Sequence, residues 1–346
     1  MTAARQGAPR TEAELDERLS RPTRQVLETF ERHPGDVIVL GAAGKMGPSL
    51  ARMARRALDD LGRQERVLAA SRFSDPAVET GLHAHGVETV KCDLGNRADV
   101  MALPEVPNVI FMAGQKFGTS VEPSATWAAN VLVPALAAER YAHSRIVAFS
   151  TGNVYPLVPR ESGGAREDDT PAPVGEYATS CLGRERILEH FSRERGTAVA
   201  IVRLNYAVDL RYGVLVDLAQ RVRDEEPIDL AMGSVNVIWQ GDASAQALCC
   251  LAQASSPPFV VNVTGPETLS IRAVATRFGE LLGRAPVFGG TEAPDALLSD
   301  ASRARELFGA PTVDADTLID WVADWIARDG RTLAKPTKFE VRDGRF

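Results

Sequence analysis

Residues 36–61, DVIVLGAAGKMGPSLARMARRALDDL, constrain the fold more than any other stretch of the chain. Val37, Ile38, Val39 and Leu40 form an uninterrupted apolar run, the pattern of a buried parallel strand. Glycines follow at 41, 44 and 47. Met46, Leu50, Met53, Ala54, Ala57, Leu58 and Leu61 then recur at helical spacing, with Arg and Asp residues on the other face. Strand, glycine turn and helix N-terminus together make an anion site. Unsatisfied backbone N–H groups and the helix dipole point at the ligand, and missing side chains let a pyrophosphate approach. The spacing is G-x-x-G-x-x-G rather than G-x-G-x-x-G, so its place between strand and amphipathic helix carries the assignment. Gly41, Gly44, Lys45, Met46 and Gly47 are the residues expected to meet a dinucleotide here.

At 346 residues the chain can hold two domains, or one α/β domain with a smaller lobe. Its 45% hydrophobic and 25% charged residues are those of an ordinary soluble globule. A net charge of −7 argues against a nucleic-acid partner, which calls for a basic face. Cys92, Cys181, Cys249 and Cys250 lack metal-ligand spacing, so no metal is expected, and so few cysteines point to a reducing cytoplasm. The N-terminal MTAARQGAPRTEAELDERL has no apolar core of a secretory signal, and no run is long enough to span a bilayer. These features predict a cytoplasmic protein with no membrane partner.

Thr11 with Glu14 forms a capping-box pattern for a first helix, and a second spans about 23–32. After the first strand and helix, further strands are expected at 66–71, 85–94, 108–113, 145–150 and 199–204, separated by helices such as 124–142 and 180–195. This alternation predicts a doubly wound parallel sheet of the Rossmann type, with its ligand crevice at the carboxyl ends of the strands. Beyond residue 205 the pattern loosens into helices at 215–224, 243–252, 271–282 and 315–328 and strands near 234–239 and 259–263. The reading is an N-terminal helical extension (1–34), a dinucleotide-binding domain (35–208, with 234–252 returning to it), a mostly substrate-binding lobe (209–330) and a polar tail (331–346).

The end of the second strand normally selects between the two nicotinamide dinucleotides, an acidic side chain bonding the ribose hydroxyl and a basic one meeting a 2′-phosphate. Here it reads Ala70-Ser71-Arg72, with no carboxylate before Asp75. Because Arg forms charge-assisted bidentate bonds with phosphate, NADP(H) is favoured over NAD(H). Asp93 and Leu94, at the end of the third strand, are expected to flank the adenine.

GAAGKMG at 41–47, CDLGN at 92–96, VIFMAG at 109–114 and Asn130-Val131 are followed by FSTGNVYP at 149–156, Glu176-Tyr177 and VRLNYAV at 202–208. FVVNVTGPETLS at 259–270 and DASRARELFG at 300–309 complete the series. In this order and spacing the chain resembles the extended short-chain dehydrogenase/reductase family, the NAD-dependent epimerase/dehydratase group, from residue 36 to about 328. The resemblance implies an α/β protein with a smaller mixed C-terminal lobe. It also implies hydride transfer on a nucleotide-sugar, sugar or sugar acid, by an epimerase, dehydratase or dehydrogenase. Tyr177 matches the general acid/base, which also borders the cofactor, and Thr151 matches the hydroxyl that bonds the reacting oxygen. Ser150 is expected to point to the other side of the strand. Ala113 and Gly114 fall on the cofactor side. Gln115, Lys116, Asn153, Tyr155 and Asn205 are expected to line the crevice, with Arg211, Trp239 and Gln240 closing over the ligand and Asp242 capping a helix. A homodimer through helices 124–142 and 180–195 is the family's default.

One piece of the pattern is missing. The family places a lysine four residues after the tyrosine, one helical turn on, where its charge lowers the tyrosine pKa. This chain reads Tyr177-Ala-Thr-Ser-Cys181. A free tyrosine ionises near 10, poorly matched to proton transfer at neutral pH. For a replacement cation from elsewhere, Lys116 is the first candidate, ahead of Lys45 and the oxidised nicotinamide ring. Other readings are a reaction run without full activation, a catalytically inactive dinucleotide sensor or regulator, or a reactive Cys181.

Overall fold

The computed structural model describes residues 7–118 and 121–345. Among these, seven strands form one parallel sheet: β1 (Val37–Leu40), β2 (Val67–Ser71), β3 (Glu88–Lys91), β4 (Asn108–Phe111), β5 (Arg145–Thr151), β6 (Ala198–Leu204) and β7 (Phe259–Val263). Their order across the sheet is β7-β6-β5-β4-β1-β2-β3. The turn of direction lies at β1, where Leu40 faces Ala70 of β2 on one side and Phe111 of β4 on the other. This is the topological switch point at which open α/β sheets bind ligands.

Alternation along each strand divides the two faces. Val37, Val39, Val147, Phe149, Ala200 and Val202 pack beneath the helices Arg24–Arg32, Gly47–Asp60 and Gln240–Cys249. Ile38, Leu40, Ile146, Ala148, Val199 and Ile201 pack on the other face with Leu136, Ala137 and Leu188 of the helices Val133–Arg140 and Gly175–Arg195. Both faces are covered, so the strands read as continuous apolar runs. A second core joins helices Val214–Arg223, Ile271–Leu282 and Ala315–Ala327.

Three segments differ from the sequence reading. Phe259–Val263, expected in the C-terminal lobe, is an edge strand of the main sheet, paired with Ala200–Leu204. The N-terminal helices are built into both cores: Leu15 and Leu19 belong to the C-terminal one, Val26 and Phe30 to the sheet. Arg56 of the first βα helix fastens them by donating to the Glu17 carbonyl at 2.8 Å. Residues 331–345 are no loose polar tail. Phe339 is fully buried, Thr337 donates its N–H to Asp217 at 2.8 Å, and Arg221 pairs with Glu340 at 2.8 Å. Polar composition hid one apolar anchor and a set of long-range partners. Among the described residues no helix is long and apolar enough to cross a membrane.

Candidate active site

The glycine turn shows three different needs. Gly41 has φ +85°, and a Cβ there would stand 2.7 Å from the Ala113 nitrogen. At Gly47 a Cβ would lie 2.2 Å from the Ala42 carbonyl oxygen, so this glycine lets the helix pack directly on the turn. Gly44 is exposed, and its missing side chain leaves backbone open to a ligand. The helix Gly47–Asp60 has no side-chain cap at Met46, and only its Gly47 N–H is taken up within the turn, by the Gly44 carbonyl at 3.2 Å. A cradle of bare backbone at a helix N-terminus fits a pyrophosphate.

This turn forms one wall of a cleft of about 360 Å³ at the carboxyl ends of β1, β4, β5 and β6. Of the residues picked out from sequence, Gly41, Gly44, Lys45, Met46, Gly47, Gly114, Gln115, Lys116, Ser150, Thr151, Asn153, Tyr177 and Asn205 line it. Ser71, Arg72, Asp93, Leu94 and Ala113 do not. Asp93 closes its own turn, accepting from the Gly95 N–H at 2.9 Å. Asp75, the first carboxylate after β2, caps the next helix by accepting from Ala77 N–H at 2.9 Å. Arg72 is exposed, with no side-chain partner among the described residues.

Tyr177 stands in the first turn of Gly175–Arg195, a helix that begins earlier than its apolar periodicity predicts. Its hydroxyl is hydrogen-bonded to Thr151 at the end of β5 and faces the Cys181 thiol. Burial, with the thiol second, pushes its ionisation well above the ordinary tyrosine value; the Thr151 bond and the Arg184 charge oppose this. Cys181 is buried, and burial pushes its thiol pKa up as well, so it brings no charge. Ser150 points the other way, donating to Glu185 at 2.6 Å. Thr151 also accepts from the Asn153 N–H at 3.1 Å, which fixes the loop behind it.

The two lysines are each anchored to a backbone carbonyl. Lys116 Nζ donates to the Thr337 carbonyl at 3.1 Å, and its charge acts on Cys181. Lys45, expected to face phosphate, instead reaches across to the Ala207 carbonyl at 3.2 Å, its ammonium 4.2 Å from the centre of the Tyr212 ring. Burial lowers both to about 8. Each is cationic below that value and neutral above it. Affinity for an anionic dinucleotide is therefore expected to hold up to about pH 8 and to fall roughly tenfold by about pH 9 as the charges go. Equilibrium titrations across that range check this, with Lys45→Met and Lys116→Met flattening the profile.

Tyr155, expected to line the crevice, and Arg211, Trp239 and Gln240, expected to close over the ligand, are committed elsewhere. Arg211 sits in a carboxylate cluster, 2.8 Å from Asp16 and within reach of Glu12 and Asp209, tying the N-terminal helix down. Tyr155 is buried between Arg203, which donates to its hydroxyl at 2.7 Å, and Asn262. Trp239 packs edge-on against Trp321 in the C-terminal core, and Gln240 donates to Ser49 at 3.1 Å. Asp242 is structural by another route than a cap, accepting from Thr312 and Val313 in a distant loop. The cleft gains residues that sequence reasoning missed: Arg184, Tyr206, Tyr212 and Thr337. Tyr206 has φ +44°, an uncommon conformation for a bulky residue, as often found beside functional sites.

Residues 37–208 match the model of the NAD dependent epimerase/dehydratase family. Among solved structures, MoeE5 in complex with UDP-glucose and NAD aligns with a TM-score of 0.67 at 21% identity, covering 85% of this chain and 99% of that one. UDP-glucose 4-epimerase from Thermotoga maritima, with UDP-glucose, gives 0.69 at 17% identity over 85% and 99%. UDP-glucuronic acid 4-epimerase from Bacillus cereus, in complex with NAD, gives 0.69 at 18% identity over 85% and 99%. At such identities the likeness is one of fold. No curated protein matches the sequence.

Proposed function

Because this chain belongs to the NAD-dependent epimerase/dehydratase family, we propose that it transfers hydride on a nucleotide-sugar or related sugar, with Tyr177 moving the proton. The observation that carries the reading is the Tyr177–Thr151 hydroxyl pair on the wall of the cleft that also holds the glycine turn. A nicotinamide dinucleotide, when bound, supplies the hydride acceptor. Loss of hydride from a substrate carbinol carbon leaves an O–H proton to be removed as the C=O bond forms. Tyr177, as phenolate, takes that proton, and in the reverse direction returns it. Thr151 holds the same oxygen in reach. Backbone N–H groups at Lys45 and Met46 receive the pyrophosphate, with Gly114 on the same cleft, while Gln115, Asn153 and Asn205 offer hydrogen bonds to substrate hydroxyls. UDP-glucose and UDP-glucuronic acid, bound by similar folds, define the probes.

We assign NADP(H) as the preferred cofactor. Ser71 ends β2, the unpartnered Arg72 follows it, and the next carboxylate in the chain, Asp75, is engaged as a cap. Arg72→Ala is expected to weaken NADP(H) binding about tenfold, with NAD(H) within about twofold, in calorimetric titrations. A homodimer through the Val133–Arg140 and Gly175–Arg195 helices, with the turns before the first, is supported by Trp127 and Leu132, which are 39% and 51% exposed. Sedimentation equilibrium tests it.

A second reading, a dinucleotide sensor without chemistry, has the neutral Cys181 beside Tyr177 in its favour. The deciding experiment releases and identifies any dinucleotide carried by the purified protein, then follows nicotinamide absorbance with each UDP-sugar. Stoichiometric dinucleotide with substrate-dependent reduction supports the enzyme. Binding without turnover supports the sensor, and no dinucleotide binding at all overturns both.

A further inference from the structure

Arg184 is a buried arginine with an unusual set of partners. Its guanidinium donates from Nη1 to the Phe149 carbonyl at 2.6 Å, from Nη2 to Asn130 Oδ1 at 2.7 Å and from Nε to the Asn130 carbonyl at 3.4 Å. All three acceptors are neutral. Among the described residues no carboxylate pairs with it; its neighbour Glu185 faces away, bound to Arg203 at 2.7 Å. A buried guanidinium held only by dipoles is hydrogen-bonded but not neutralised, so its field reaches its surroundings.

The protein makes room for this charge. A Cβ on Gly114 would stand 2.4 Å from Arg184 Nη2, so the end of β4 keeps a glycine there. A π-helical turn, Ala128–Leu132, carries Asn130, whose side chain is locked by the Gln115 backbone on both sides and by Ser180 at 2.9 Å. Such turns are frequent at functional positions. Arg184 lines the same cleft as Tyr177 and Thr151. Residues 177, 181 and 184 share one face of their helix at i, i+4 and i+7, so phenol, thiol and guanidinium form a column.

We propose that Arg184 is the cation that holds Tyr177 ready for proton transfer, acting across the uncharged Cys181 layer from two helical turns away. Arg184 is a positioning residue in this role, since it works through Tyr177 and not on the substrate. Its charge, after the Thr151 hydrogen bond, opposes the rise that burial imposes on the Tyr177 pKa. Cys181 and Arg184 from its own helix and Thr151 from β5 act on the phenol, Lys116 of the same cleft acts on the thiol, and Lys45 is directed to Tyr212.

The proposal rests on Tyr177 being the proton-transfer group, and its test separates the two claims. 3-Nitrotyrosine, a phenol that ionises at lower pH with a visible absorbance change, is placed at 177 in the full chain. Arg184→Met is expected to raise its midpoint by about one pH unit or more, and Arg184→Lys by less than about half a unit. Cys181→Lys in the Arg184→Met background is expected to bring it back. Asn130→Asp sets a carboxylate against the intact guanidinium and is expected to raise the midpoint too, which keeps the test alive should Arg184→Met not fold. An unchanged midpoint in either folded variant overturns the role of Arg184. Should the midpoint shift while Tyr177→Phe leaves turnover intact, the electrostatics stand and the catalytic role of Tyr177 falls. With a turned-over substrate, the rising limb of kcat against pH moves to higher pH in Arg184→Met by the same amount.

Discussion

Tyr177→Phe is expected to lower kcat by about 10²–10⁴-fold while dinucleotide affinity stays within about twofold. The ring of Tyr177 lies against the cleft wall and its hydroxyl meets Thr151, so phenylalanine keeps the packing and removes only the group that can carry a proton. Loss of a group needed only as charge develops lowers kcat and kcat/KM together, whereas loss of a mere contact raises KM. Steady-state rates with a UDP-sugar, beside a titration of the dinucleotide, make the separation. A variant with unchanged kcat would overturn Tyr177 as the proton-transfer group and leave that role to another residue of the cleft.

The sequence made plain whatever depends on local period and local chemistry. β1, the glycine turn and the helix after it are legible because a continuous apolar run, bare backbone and 3.6-residue spacing each have one physical solution. The crevice beyond β4 and β5 follows from strand ends meeting at a switch point, and Thr151 and Tyr177 within it are implied by the family resemblance. What stayed hidden depends on distant partners. Arg211 reads as a loop arginine near a ligand until Asp16 and Glu12 arrive from nearly two hundred residues upstream. Lys45 sits inside an anion motif yet is drawn off by a carbonyl and a ring in the C-terminal lobe. Thr337 joins the cleft because one phenylalanine two residues on is buried. Arg184 lies in GRERILEH, where charge alternates too densely to show which arginine turns inward. Its signal was spacing: seven residues from Tyr177, it returns to the same helix face.

The neighbouring side chain gives the largest stability effect expected. Glu185 accepts from Ser150 at 2.6 Å and from Arg203 at 3.1 Å and 2.7 Å, with the side chains of the pair only 4% and 6% exposed. Arg203 continues the network to Tyr155 and to the Glu167 carbonyl. Removing one member leaves the other charge buried and unpaired, so Glu185→Ala is expected to lower unfolding free energy by about 3–5 kcal/mol. Glu185→Gln, which keeps the shape and part of the bonding, should cost less. A Glu185→Leu/Arg203→Met double variant should cost less than the two single changes added, because neither charge remains to be stranded. Urea denaturation of the set measures all three, and additivity of the double variant would show that the pair is not the unit of stability. The contrast with Arg184 is one of wiring. Adjacent on one helix, Glu185 is neutralised and holds β5 to β6, while Arg184 keeps its charge and turns it toward the cleft. Glu185→Ala should therefore lose structure before it alters the pH profile of whatever activity survives, and Arg184→Met should do the reverse.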